Sequence, residues 1–150
     1  MSDLYLFDTN ILVHLVRDDF TGQSIRSKYA PFMLDPKPFI CTVTGGELRS
    51  LALQWSWGNH KTEQMRYLLG YFRQVSIERP DVMNAYAAID FSANAQGIKM
   101  GKNDLWVAAT THITGARLVT TDNDFDHLVP AFISIDKIEL QQGDPSRKTL

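Results

Sequence analysis

Hydrophobic positions along this chain follow two rhythms in alternation. Leu4-Tyr5-Leu6-Phe7 is a short unbroken apolar run, the pattern of a strand buried on both faces of a parallel sheet. Immediately afterwards Ile11, Leu12, Leu15 and Val16 recur at helical spacing, which predicts a helix over 9 to 17 that Asp18 and Asp19 end. A second helix is predicted over 22 to 35, with Ile25, Tyr29, Phe32 and Met33 on one side and Pro36 and Pro38 stopping it. Residues 39 to 43 read as the second strand. Thr44-Gly45-Gly46-Glu47 then looks like a helix start, with Leu48, Leu51, Ala52 and Trp55 forming the apolar face behind it.

The same alternation continues to the end. A helix is predicted over 60 to 72 through Met65, Leu68, Leu69 and Phe72, and a brief strand over 74 to 77. Pro80-Asp81 opens a helix that reaches about residue 96, where Gly97 ends it; a shorter helix from Asn103 stops at Gly115. Residues 117 to 121 and 132 to 135 read as strands. Strands alternating with helices predict one α/β domain with a mostly parallel central sheet flanked by helices. The domain is expected over residues 1 to 140, with 141 to 150 a polar tail marked by Gly143 and Pro145.

Composition narrows the setting. A chain of 150 residues with 44% hydrophobic content suits a single core, and a net charge of −2 gives no overall basic field, so a nucleic-acid partner would have to be held by a local patch and by metal ions. The one cysteine, Cys41, lies in an apolar run and reads as a small buried residue, which fits a reducing cytoplasm. No run approaches the roughly 20 apolar residues of a membrane span, and the amino terminus lacks a basic region, so no membrane association is expected.

Chemistry enters with four acids. Asp8, Glu47, Asp104 and Asp122 each stand where a predicted strand ends or a helix begins. In an open parallel sheet ligands bind outside the carboxyl ends of the strands, and carboxylates gathered there repel one another unless cations offset them. Each acid also has a plainer reading. Thr44-x-x-Glu47 fits a capping box, Asn103-Asp104 a helix cap, and Asp122-Asn123-Asp124 a turn. Asp8 has no such partner, and the joint pattern outweighs its parts. His14, His60, His112 and His127 have no zinc-like spacing with Cys41. Lys99, Lys102 and Arg17 are candidates for phosphate contacts, and Trp55, Trp57 and Trp106 for base stacking or for packing.

Four segments, in order, resemble the successive motifs of PIN-domain proteins: Phe7-Asp8-Thr9-Asn10-Ile11-Leu12-Val13, Thr44-Gly45-Gly46-Glu47-Leu48, Asn103-Asp104-Leu105-Trp106-Val107-Ala108-Ala109-Thr110, and Gly115-Ala116-Arg117-Leu118-Val119-Thr120-Thr121-Asp122-Asn123-Asp124-Phe125. The likeness is to VapC-type toxins of toxin–antitoxin pairs. It implies a PIN-like three-layer fold and a Mg²⁺-dependent endoribonuclease, with Mn²⁺ able to substitute. Asp8, Glu47, Asp104 and Asp122 are then the catalytic and metal-binding acids. Asp122 is favoured as the fourth, with Asp124 competing for that role or supporting it. Asp8 and Asp104 are expected to ligate the principal ion while Glu47 and Asp122 complete the site, and Thr9, Asn10 and Thr121 to orient it. The resemblance also implies an RNA substrate, a cognate antitoxin and a homodimer. Two divalent ions about 3.5–4 Å apart would supply an activated water and balance charge on the attacking and leaving oxygens. Two other readings stay open: a non-catalytic RNA- or protein-binding module on the same fold, and a phosphohydrolase using Asp8 as nucleophile.

Overall fold

A computed structural model describes residues 3 to 140; the polar tail from Gln141 lies outside the described residues. Five short strands, β1 (Tyr5–Phe7), β2 (Phe39–Cys41), β3 (Arg73–Val75), β4 (Arg117–Thr120) and β5 (Ser134–Lys137), form one sheet in the order β3-β2-β1-β4-β5. All four pairings are parallel. The helices are α1 (Thr9–Arg17), α2 (Phe20–Tyr29), α3 (Thr42–Gln54), α4 (Asn59–Tyr71), α5 (Pro80–Ala95) and α6 (Lys102–Thr114).

Alternation along the strands decides which helices cover which face. Phe7, Ile40 and Val119 point to one side and pack with residues of α1, α2, α3 and α4. Leu6, Cys41 and Leu118 point to the other and pack with Ile89 of α5 and with Leu105, Val107 and Ala108 of α6. The register sets like with like, Leu6 opposite Leu118 and Phe7 opposite Val119, so each face stays continuous across the β1–β4 pair. Three layers result.

Several boundaries differ from those read in the sequence. Residues 42 and 43 belong to a helix rather than a strand, because Thr42 already opens α3, with Cys41 as its extended N-cap. Helix α2 starts at Phe20 and ends at Tyr29, where Ala30 takes a left-handed conformation before Pro31. Phe32 therefore leaves the helix and joins Tyr67, Tyr71 and Phe72, with ring centroids 5.8, 5.1 and 5.9 Å away, while Met33 is exposed. The last strand falls at Ser134–Lys137, two residues later than predicted. The tight turn between α1 and α2 depends on Gly22. A Cβ there would lie 2.2 Å from the His14 carbonyl oxygen, so no larger residue fits without moving one helix.

Topology places the site. From β1 the chain steps outward to β2 and β3, then returns to the other side of β1 as β4 and moves outward again to β5. Connections leave β1 and β4 in opposite directions, which opens a crevice at their carboxyl ends.

Candidate metal centre

Asp8 stands at the end of β1. Its amide donates to the Val119 carbonyl at 3.0 Å, extending the β1–β4 ladder by one bond, and its side chain caps α1 by accepting from the Thr9 amide at 2.8 Å. The other carboxylate oxygen accepts from Thr120 Oγ1 at 2.8 Å and from Asn10 Nδ2 at 3.4 Å. Asp8 is only 6% exposed, so both oxygens are fixed in a nearly dry setting. Burial pushes its carboxyl up to about 7, against the bonds from Thr120 and Thr9 that favour the charge, and the nearby Asp104 and Glu47 push the same way as burial.

Glu47 arrives from α3. It lies in the helix body, six residues from the Cys41 cap, so the capping box that Thr44-x-x-Glu47 would fit, the plainer reading of the sequence, does not form. Instead Thr9 Oγ1 donates to Glu47 Oε1 at 2.6 Å. That uses the only Thr9 hydroxyl proton, so the 3.0 Å contact between Thr44 Oγ1 and Thr9 Oγ1 has Thr44 as donor. A relay from Thr44 through Thr9 thus orients Glu47 toward β1.

Asp104 sits in the first turn of α6, and Asp122 and Asp124 occupy the loop after β4. Among the described residues, Asp104, Asp122 and Asp124 bring one oxygen each within 4.8 Å of one another, a grouping able to hold a metal ion. The Asp104 carboxyl is raised to about 6, first by burial and then by the charges of Asp122, Asp124 and Glu47. Asp124 is raised as well, chiefly by Asp122. Local bonds shape this loop: the Asp122 amide donates to Thr120 Oγ1 at 3.0 Å, and the Asp124 amide to Asp122 Oδ1 at 3.0 Å. Lys137 Nζ on β5 holds it from outside, donating to Asn123 Oδ1 at 2.6 Å and to Asp126 Oδ1 at 2.7 Å.

All four acids singled out in the sequence therefore face the carboxyl edge of the sheet, and Asp124 joins them. The hydroxyl that links Asp8 to the Asp122 loop belongs to Thr120, not to Thr121, which contributes only its amide to Asn10 Oδ1 at 3.4 Å. Lys99 and His127 line a cleft of about 420 Å³ on the Asp104 and Asp124 side of the cluster. Both ring nitrogens of His127 are buried there with no hydrogen-bond partner among the described residues. Arg17 lies at the far end of α1 from Asp8, its guanidinium 4.3 Å above the Trp55 ring, and so is remote from the acids. Trp106 packs on Tyr86 with centroids 4.1 Å apart, and Trp55 and Trp57 pair at 6.0 Å. Cys41 is buried and free.

The sequence profile of the PIN domain matches residues 5–129, which includes every one of these acids. The chain belongs to the PIN domain family. No curated protein matches it in sequence. Among solved structures, this PIN domain is similar to a chain of VapBC2 from Rickettsia felis, bound to a DNA fragment from its promoter. That match has 17% identity and a TM-score of 0.73, covering 89% of this chain and 98% of the other. VapBC-1 from nontypeable Haemophilus influenzae matches at 20% identity and TM-score 0.70, over 89% and 97% of the two chains. A toxin–antitoxin complex from Klebsiella pneumoniae matches at 21% and 0.68, over 91% and 99%. At these identities the likeness is one of fold. No helix among the described residues of this PIN domain is long and apolar enough to cross a membrane.

The donor set fits a hard divalent cation. One oxygen each of Asp104, Asp122 and Asp124 lies within 4.8 Å of the others, and burial, with the neighbouring acids adding to it, raises the carboxyls of Asp8 and Asp104.

Proposed function

We propose that this PIN domain is a Mg²⁺-dependent endoribonuclease and the toxin of a toxin–antitoxin pair, with Mn²⁺ able to replace Mg²⁺. The observation that carries the reading is the approach of Asp104, Asp122 and Asp124 to within 4.8 Å beside a buried Asp8 and a Thr9-oriented Glu47. Family membership supports nuclease chemistry, and the toxin–antitoxin complexes among the structural matches support the biological role. A bound divalent cation would activate water and balance the charge that develops on the phosphate oxygens.

The chain's own residues do the rest. Asp8 and Asp104 would hold the principal ion, with Glu47, Asp122 and Asp124 completing the set. Thr120 and the Thr9 amide keep Asp8 in one orientation, and such outer partners matter about as much to a metal site as its ligands. With both oxygens engaged as acceptors and little exposure, Asp8 suits a fixed ligand better than a nucleophile. An antitoxin would bind elsewhere on the surface, where exposed apolar side chains such as Met33, Leu53 and Phe91 favour a partner. A homodimer and a cytoplasmic location accord with this role.

Two measurements test the reading. Purified protein incubated with several structured and unstructured RNAs should cut with Mg²⁺ or Mn²⁺ and stop on addition of EDTA. Equal cleavage in EDTA removes the metal from the mechanism, and intact RNA under all conditions leaves a non-catalytic binding module. Expression in a bacterial host should arrest growth, and Asp8→Ala at equal protein level should relieve the arrest. Growth curves with matched immunoblots decide it, and continued arrest by well-expressed Asp8→Ala would detach toxicity from this site.

A further inference from the structure

Beside the acids, reached through Glu47, lies a second cleft whose lining follows one helix face. Val43, Gly46, Glu47, Ser50, Leu51 and Gln54 recur at spacings of three and four along α3 and, with Asn103 in the first turn of α6, line an open groove of about 550 Å³. The volume lies within the range of small-molecule sites. Its chemistry is unlike that of the acid cluster. Among the described residues, Glu47 is the only charged group in the lining, which has no lysine or arginine to hold a phosphate. What remains is an apolar surface from Val43 and Leu51, together with two carboxamides and a hydroxyl from Gln54, Asn103 and Ser50. Gln54 Nε2 donates to Ser50 Oγ at 2.8 Å, which positions that pair before any ligand arrives.

We propose that this cleft is the subsite for one nucleobase of a single-stranded RNA, the base adjoining the phosphate held at the acids. The proposal rests on the ribonuclease reading above and adds to it what selects the position of the cut. A base is a flat, uncharged heterocycle with hydrogen-bond donors and acceptors on its edge. Apolar side chains accept its face, and carboxamides match its edge in a bidentate way. Continuity with the reaction centre is covalent at two points: Glu47 belongs to both the cleft and the acid site, and Asn103 directly precedes Asp104. An RNA whose phosphate reaches the acids therefore brings a neighbouring base to α3. Gly46 leaves the entrance open, since a Cβ at this position would meet nothing within 4 Å.

The test uses a randomised single-stranded RNA pool, the parent protein, Gln54→Ala, Asn103→Ala and Gly46→Leu, the last of which fills the cleft while favouring the helix. Sequencing the cut ends gives the base preference on each side of the break. Sequencing the RNA retained by the protein gives the preference of binding alone. The parent should show a bias at one nucleotide adjoining the cut. The three variants should flatten it and raise KM for the preferred oligonucleotide about tenfold, with a smaller change in kcat. The rise in melting temperature produced by Mg²⁺ should be the same in all four proteins, which separates lost base recognition from a damaged metal centre. An unchanged bias in folded variants overturns the subsite while leaving the ribonuclease reading standing. If the parent retains RNA without cutting it, the bound pool decides by the same criterion. A parent that neither cuts nor retains RNA overturns both, and the parent alone reveals it.

Discussion

Asp104→Asn should lower RNA cleavage about a hundredfold or more and yet leave the metal-free protein at least as stable as the parent. The two halves of this expectation come from one cause. Burial and the charges of Asp122, Asp124 and Glu47 raise the Asp104 carboxyl to about 6, so near pH 8 its ionised form is held at a cost in the empty site. Asparagine keeps the shape and removes the charge. Because Asp104 is partly open to solvent, the relief is screened and amounts to on the order of 1 kcal/mol. If Asp104 were merely an acid favoured by the dipole of α6, its loss would instead destabilise the fold by roughly 0.3–1 kcal/mol and leave cleavage intact. Thermal melts of both proteins in EDTA and in Mg²⁺, paired with cleavage rates, distinguish the two. Mg²⁺ should also raise the parent's melting temperature more than the mutant's, since only a ligand of the native state shifts unfolding. An active Asp104→Asn protein with a lowered metal-free melting temperature would take Asp104 out of the site.

A second large effect is expected from pH. The folded carboxyls of Asp8, at about 7, and Asp104, at about 6, both lie above the unfolded value of about 3.9. Between those limits the folded chain holds more protons than the unfolded chain, so stability falls as pH rises through the window. The metal-free protein should therefore be most stable toward pH 5 and should lose on the order of a few kcal/mol by pH 8, most of it at Asp8, which is nearly dry. Asp136 works in the opposite sense, but outside this window. Burial acts to raise it, yet the bonds from Arg117 and Tyr29 hold its carboxyl below the usual range, so its contribution is lost only under more acidic conditions. Saturating Mg²⁺ at pH 8 should restore the lost stability, because the cation takes the ionised carboxylates. Urea unfolding at pH 5, 6, 7 and 8, with EDTA or with Mg²⁺, measures both curves. A metal-free protein whose stability rises steadily from pH 5 to 8 would contradict the crowding of charge at Asp8 and Asp104.

The long-range pattern of the fold was legible because it depends on period alone. The runs that became β1 and α1 have sharp limits, and Asp8 marks the change from one rhythm to the other; no capping partner is evident for it in the sequence, yet its side chain is the N-cap of α1, accepting from the Thr9 amide. Elsewhere tertiary bonds overrule local preference. Thr42 and Val43 are β-branched and read as the end of a strand, with the helix starting at Thr44, yet Thr42 Oγ1 accepts from the Ile77 amide and Thr44 bonds Thr9, contacts that hold all three residues as the first turn of α3. Phe32 has helical spacing with Tyr29 but is drawn out by the rings of α4. Thr120 and Thr121 are indistinguishable in the sequence; strand parity turns the hydroxyl of Thr120, and not its neighbour's, onto Asp8. The participation of Asp124 depends on the turn bond to Asp122, which spacing suggests but cannot orient.

The sheet order has a consequence for how this protein comes into being. Strand β1 lies between β2 and β4, and the hydroxyl that fixes Asp8 comes from a residue 112 positions further along the chain. A ribosome releases Asp8 well before it releases α6 and the loop after β4. Until then Asp8 and Glu47 lack Asp104, Asp122 and Asp124, so a nascent chain has no complete acid cluster. The order of the strands thus delays assembly of the acid cluster until β4 and the loop after it have been made.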